Sequence, residues 1–448
     1  MKKNDILTGT VIDYTHEGNG VVKIDGYPIF IPHVVKDEQI TFKLIKQNKG
    51  FGIGKLISIE EESQDRVTPP CIYYQQCGGC NIQHLNYDAQ LTMKENQVKN
   101  LVQKMTKLDV PVKSIMGMEH PWRYRNKSQL PVQYKDGIVT GFYKPRSHDI
   151  VPIEECLIQK ESHDHLMNVI RQLLEKYQVS IYDERKHKGN LRHIILRSGT
   201  KVNETMVVFV TKSHKMMNIE AIADELMTQF PAVTSVRQNI NPDKTNVILG
   251  HQSKTIKGND HIHDRLDDLL FEISDTSFYQ VNHAQTEKLY HQALQYAELT
   301  GRQNVIDAYC GIGTIGLFMA SHAERVYGVE IVEKAIMDAK RNAENNNLAN
   351  THFETGRAED IIVKWQQEGI KPHVVMVDPP RKGCDAVFLE TLLELAPERI
   401  VYVSCNPSTL MRDIQLLKEK YHIEEITPVD MFPQTTHVEA VCKMTLKG

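Results

Sequence analysis

Cys405 is the residue of this chain best placed for covalent chemistry. It lies in Ser404-Cys405-Asn406-Pro407, directly after the apolar run Ile400-Val401-Tyr402-Val403. That run reads as a buried strand terminated by Pro407. The cysteine therefore falls at a C-terminal strand tip, facing the crevice where open α/β sheets bind ligands. Cysteine is the most nucleophilic side chain near neutral pH, so the position suits a covalent catalyst. A lone cysteine is more often a small core residue; the motifs around this one argue otherwise.

Four of those motifs follow other strands. Val305 to Gly316 reads as an apolar strand with Asp307 at its end, then Tyr309 and Cys310, then a turn with Gly311, Gly313 and Gly316 that opens a helix. Dinucleotide binders share a bare GxGxxG. The Asp307-Ala308-Tyr309-Cys310 lead-in is closer to S-adenosylmethionine enzymes, where the glycine loop lies beneath the amino-acid part of the cofactor. The strand Arg325 to Glu330 also ends in an acid, and a carboxylate there can accept both ribose hydroxyl protons. Asp360 follows a third strand near His352 to Thr355 and is a candidate acceptor for the adenine amino group. Asp378-Pro379-Pro380-Arg381 follows the apolar run from His373 to Val377. Amino-methylating enzymes use a similar turn, with an aromatic residue where Arg381 stands. The arginine, with a cysteine on the next strand, favours methylation of a pyrimidine carbon.

Such a reaction dictates its own residues. C5 of uracil is too weak a nucleophile to take a methyl group directly. Addition of a thiolate to C6 creates an enolate whose C5 attacks the sulfonium methyl, and a base must then remove the C5 proton so that the cysteine can leave. Donors for the developing oxyanion are also needed. Glu439, in His437-Val438-Glu439-Ala440-Val441, is the candidate base, and His437, two residues away on the same strand face, is the alternative.

The set Phe278-Tyr279-Gln280-Val281-Asn282, Asp307 to Gly311, Asp378 to Arg381, Ser404 to Pro407 and His437 to Glu439 resembles the RNA (uracil-C5)-methyltransferases, over essentially the whole chain. The resemblance implies Cys405 as nucleophile and Glu439 as base. Gln280, Tyr309, Glu330 and Asp378 would line the pocket for S-adenosylmethionine and the target base, with Asp360, Gly311 and Gly313 completing the cofactor side. Thr314 stands where some relatives carry asparagine.

A second cysteine pattern is Cys71-x5-Cys77-x2-Cys80 with Cys156 far downstream. Three close cysteines and one distant suit a [4Fe-4S] cluster. A structural zinc ion and no metal at all are the alternatives. Four ligands leave no open iron, so a cluster would be structural or RNA-positioning. In the resembled family the ribosomal-RNA branch carries such a cluster beside a TRAM domain, and the transfer-RNA branch lacks both. The resemblance therefore implies the [4Fe-4S] cluster and a 23S rRNA substrate.

The elements that would position these residues fall into three parts. Residues 1 to 60 show short alternating strands with turn glycines, read as a small β-barrel similar to the oligonucleotide-fold-like TRAM domain. Residues 60 to 66 read as a charged linker. Residues 70 to 275 read as a mixed α+β central domain; within it Leu91 to Lys107 reads as an amphipathic helix, and relatives imply that residues 91 to 121 pack on the catalytic domain. From 276 to 448 the rhythm is strand, helix, strand, which predicts a Rossmann-like, parallel, doubly wound methyltransferase domain. The fold class expected is thus multidomain α/β.

Composition bounds the rest. The 448 residues are 41% hydrophobic and 25% charged, with net charge -4, which argues against a globally basic nucleic-acid binder. Basic residues are local. Arg123, Arg125, Lys127, Lys135, Lys144 and Arg146 are interleaved with Trp122, Tyr124, Tyr134, Phe142 and Tyr143, and Arg185 to Arg197 follows without an acid. Such stretches suit a phosphate-contacting surface with stacking platforms. No signal peptide or membrane span is expected, which points to the cytoplasm and away from disulfides. RNA is the expected partner, and no obligate protein partner is implied. The rival readings are a transfer-RNA methyltransferase of the same chemistry and a non-catalytic RNA-binding or ribosome-assembly factor.

Overall fold

Alternating apolar and polar residues build the first sheet. In the computed structural model, which describes residues 1–448, it has six strands in the order Ile6–Thr10, Gln39–Gln47, Gly52–Glu61, Tyr27–Ile31, Gly20–Ile24 and Asp13–Tyr14. Val22, Ile29, Ile31, Ile40, Phe42 and Leu44 form its own core. A Cβ at Gly54 would lie 2.8 Å from Ile31 and 2.9 Å from Phe42, so only glycine lets that strand close over the core. The charged stretch after it is pinned rather than free. Arg66 donates to buried Glu38 Oε2 at 2.9 Å and to the His33 carbonyl at 3.0 Å.

The segment from 127 to 258, irregular as sequence, forms a seven-stranded sheet. Its order is Gln252–Gly258, Val233–Ile240, Thr205–Thr211, Leu191–Ser198, Lys127–Tyr134, Ile138–Tyr143 and Ile150–Pro152. Every residue of Thr205–Thr211 is buried, because both faces are covered. Val207 and Phe209 face the helices Glu161–Lys176 and Ile219–Gln229. Met206, Val208 and Val210 share a core with Val305, Val326 and Val401 of the third sheet.

The third sheet runs Thr351–Thr355, Arg325–Glu330, Asn304–Ala308, Val374–Val377, Arg399–Ser404, Glu439–Leu446 and Tyr421–Val429. The first five are mutually parallel. The expectation of a wholly parallel sheet fails at one strand, since Glu439–Leu446 is antiparallel to both neighbours. The chain returns from Tyr421–Val429 through a short loop rather than a helical crossover, which forces the reversal. It also brings the start of that strand to the end of the sheet where the parallel strands finish.

The helix expected over 91–107 begins a turn earlier. Asn86 caps Tyr87–Leu101, accepting from Ala89 N at 2.8 Å, and a π turn, Val102–Thr106, continues it to left-handed Lys107. Beyond it, Val112 and Met116 bridge in parallel to Ile426 and Val429 at the sheet edge. Lys94 Nζ meets Asp430 Oδ1 at 2.5 Å with both side chains wholly buried. No helix is long and apolar enough to cross a membrane.

Candidate active site and cysteine cavity

Strand ends converge on one cleft. Ser404 pairs with Ala440, so the next residue on one strand is Cys405 and the preceding one on the other is Glu439. Asp378 follows Val374–Val377, the neighbour of Arg399–Ser404 on its other side. Asn406 caps the helix Pro407–Leu417 through Ser408 N at 3.1 Å, and its Nδ2 donates to the Arg381 carbonyl at 3.2 Å. The Cys405 turn and the Asp378-Pro-Pro-Arg381 turn are thereby tied together, with Cys405 just ahead of a helix N-terminus.

The cleft is rich in carboxyls. Burial, then Glu439 and Asp378, push the Cys405 thiol up to about 11, with Arg381 opposing. Glu439 is raised to about 8 by burial and by Asp378, again against Arg381. Burial alone takes Asp378 to about 7. Asp307 is raised to about 8 by burial, with Asp378 and Glu330 adding and the Gly316 N–H opposing. Its Oδ2 accepts that N–H at 2.7 Å, while buried Oδ1 has no partner. Such a cluster is short of a cation.

The glycine turn beside it is open. Gly311 has φ +54° and a Cβ there would meet nothing within 4 Å, so its backbone is free to lie against a ligand; Gly313, at φ +82°, has Phe353 beneath it. Tyr309 holds a left-handed φ of 65° and packs edge-on against Phe388; strain of this kind collects at functional sites. Glu330 ends Arg325–Glu330 and accepts from Val332 N at 3.0 Å. Gln280 is buried just before the helix His283–Ala297, with its carbonyl held by Asn126 Nδ2 at 3.0 Å. Asp360 is exposed on the first turn of Ala358–Gln367, whose Ala358 and Glu359 are buried. His437 is not on the strand, which starts at Glu439; it is exposed in the segment that leads into it. Cys310, Cys384 and Cys442 are buried. Thr314 Oγ1 lies 3.0 Å from the Tyr290 hydroxyl. In the sequence Asp307 is only a strand-end acid and Arg381 only the replacement for an aromatic residue; their part in the charge balance needs the folded cleft.

Cys71, Cys77, Cys80 and Cys156 line one cavity with Tyr74 and Phe142. Burial raises Cys77, takes Cys80 to about 12 and Cys156 to about 11. Asn81, next to Cys80, donates its N–H to the Gln434 carbonyl at 3.1 Å and accepts from Thr436 N at 3.0 Å. The cavity wall thus grips the loop that leads to Glu439.

The expected phosphate-contacting stretches divide. Lys144, Arg146, Arg185, Lys186 and Tyr134 are exposed. Arg197 is buried and donates to the Ser274 and Ser277 carbonyls at 2.6 and 2.7 Å. Arg123 pairs with Asp164, and Tyr124 is buried with its hydroxyl on the Pro433 carbonyl at 3.0 Å. Those three are structural, because each has found a protein partner inside the fold.

Comparison with known proteins agrees with this geometry. Residues 86–447 match the family described as tRNA (Uracil-5-)-methyltransferase. The chain belongs to this family. Uncharacterized RNA methyltransferases of Staphylococcus aureus (strain MSSA476) and Staphylococcus epidermidis are each 55% identical to it, over 100% of the chain and 99% of the relative. The crystal structure of Pyrococcus abyssi tRNA (uracil-54, C5)-methyltransferase with S-adenosyl-L-homocysteine superposes with TM-score 0.79 and 29% identity, covering 98% of this chain and 100% of that one. This family member is accordingly an RNA methyltransferase that uses S-adenosylmethionine. Its partnerless Asp307 oxygen, acid cluster and open glycine turn fit a nucleoside bearing a cationic sulfonium.

Proposed function

We propose that the protein methylates C5 of uridine in 23S rRNA through a covalent Cys405 adduct. The observation that carries the mechanism is the adjacency of Cys405 and Glu439 across the antiparallel strand pair, with Asp378 and Arg381 facing both. S-adenosylmethionine, when bound, supplies the methyl group. Cys405, its ionisation favoured by Arg381 and the helix N-terminus, adds as thiolate to C6 of the uracil. Asp378 orients the ring through its N3–H. Glu439 takes the C5 proton, and the C6–S bond then breaks to release 5-methyluridine and the thiolate. Gln280, Tyr309, Glu330, Asp360, Gly311 and Gly313 hold the cofactor, and the target base leaves its stack to reach Cys405.

Cys71, Cys77, Cys80 and Cys156 hold a [4Fe-4S] cluster. The three close cysteines and one distant one, gathered on one cavity, support this reading over a zinc ion held by paired CxxC knuckles. The cluster and the six-stranded N-terminal sheet, read as a TRAM-like RNA-binding barrel, support the 23S rRNA assignment. Three units, 1–60, 70–275 and 276–448, and a cytoplasmic location complete this reading. A transfer-RNA substrate is the second reading, favoured by the activity of the archaeal structural neighbour. Methyl transfer from labelled S-adenosylmethionine to unmodified 23S rRNA and to bulk transfer RNA, followed by nucleoside mass spectrometry, separates them. 5-Methyluridine in 23S rRNA is expected; label confined to transfer RNA would overturn the branch, and label in neither would overturn the reading.

A further inference from the structure

Outside the Cys405 cleft, the hairpin His261–Leu266 and Leu269–Ser274 carries a second set of chemistry-bearing side chains. His261 and His263 lie two residues apart on one strand and so share a face. Glu272 is the direct cross-strand partner of His263. One nitrogen from each imidazole and one Glu272 oxygen lie within 4.8 Å of one another, and none of the three is fully exposed.

The imidazoles are held from behind. His261 Nδ1 is 2.7 Å from Asp260 Oδ1, and His263 Nδ1 is 3.1 Å from Glu204 Oε2. A carboxylate on Nδ1 fixes that nitrogen as the protonated one and leaves Nε2 with a free lone pair, the arrangement that orients histidines on a metal. Glu272 is also fixed, its Oε1 accepting from Asn345 Nδ2 at 2.7 Å. Three carboxylates surround the pair. The one cation in contact, Arg341, lies 3.5 Å from Glu272 Oε2 and has a closer partner in Asp338 at 2.5 Å.

We infer that His261, His263 and Glu272 form a binding site for a zinc-class divalent transition metal. Two imidazoles and a carboxylate suit zinc or its neighbours rather than calcium or magnesium, which take oxygen ligands. The site joins three elements. Glu204 lies in the turn before Thr205–Thr211 and accepts from His263 N at 2.9 Å. Glu272 N donates to Asn342 Oδ1 at 2.7 Å, on the helix Glu333–Asn345 that follows Glu330. A bound ion would brace the central sheet against the wall behind the nucleoside cleft.

The test is calorimetric titration of Zn2+ into the full-length protein with its cysteine site filled, alongside H261N/H263N, E272Q and E204Q. One saturable zinc site is expected. It should be lost in H261N/H263N, weakened at least about tenfold in E272Q, and weakened about tenfold in E204Q, which acts only through His263. Co2+ in place of Zn2+ should give the weak visible bands of nitrogen and oxygen ligation without thiolate charge transfer. Zinc should raise the melting temperature of the wild type but not of H261N/H263N. Unchanged zinc affinity in both H261N/H263N and E272Q, or no saturable site in the wild type, would overturn the assignment.

Discussion

The cleft around Cys405 and the cavity of Cys71, Cys77, Cys80 and Cys156 both half-bury their thiols, and burial raises Cys405, Cys77, Cys80 and Cys156, but their walls differ. The cleft is walled by Asp307, Asp378 and Glu439, with Arg381 as the opposing charge. The cavity is walled mainly by apolar and aromatic side chains, including Tyr74, Phe142 and Ile153. A thiol among carboxyls ionises when a cation and a substrate arrive, which suits a group that must attack and leave again. Thiols facing each other in an apolar cavity ionise only for a metal that stays. The same side chain is thus assigned to turnover in one place and to architecture in the other. The Asn81 contacts with Gln434 and Thr436 join the two.

Replacing the two kinds of cysteine should separate them most strongly. Cys405→Ala should lower methyl transfer by about 10⁴-fold or more while leaving metal content and melting temperature unchanged, as expected for loss of a nucleophile. Cys80→Ser should do the converse: the iron chromophore is lost and activity falls about 10²-fold, the size of effect that misplacing a catalytic loop produces. Equal loss of activity with iron retained in Cys80→Ser would erase the distinction. The loop that Asn81 grips is also anchored by Lys94, which meets Asp430 and donates to the Phe432 carbonyl at 3.1 Å. Lys94→Met leaves Asp430 buried and unpaired, and should cost about 3–5 kcal/mol in denaturant unfolding.

Much of the cleft was legible in the sequence because each motif is local. A strand end, a proline and an acid suffice to place Cys405, Asp378 and Glu330. Glu439 was legible as a candidate base beside His437, but its adjacency to Cys405 was not, since that comes from a non-local antiparallel register where periodicity predicted a parallel sheet. The basic stretches misled for a related reason. Arg197 and Tyr124 look like surface residues until the Ser274, Ser277 and Pro433 carbonyls are brought to them. The His261-x-His263 pair did carry a signal: the short turn Asp267-Asp268 sets Glu272 opposite His263, and alternation puts both histidines on that face.

A smaller effect sharpens the charge argument. The raised carboxyls mean that the folded, cofactor-free protein holds more protons than the unfolded chain between about pH 4 and about pH 8. Stability should therefore fall as pH rises across that window. A cationic sulfonium should draw those protons off, so binding of S-adenosylmethionine near pH 7 releases protons, and S-adenosylhomocysteine, whose sulfur is neutral, releases fewer. Calorimetry in buffers of different ionisation enthalpy measures the difference; equal release by both would remove the cation from the account.

In the proposed mechanism Glu439 completes a reaction begun by Cys405. Glu439→Gln should still add Cys405 to the uracil and accept the methyl group, but fail to remove the C5 proton. Incubated with labelled S-adenosylmethionine and unmodified RNA, this variant should accumulate a denaturation-resistant, labelled protein–RNA adduct, absent when Cys405→Ala is added. Normal turnover without an adduct would contradict the account.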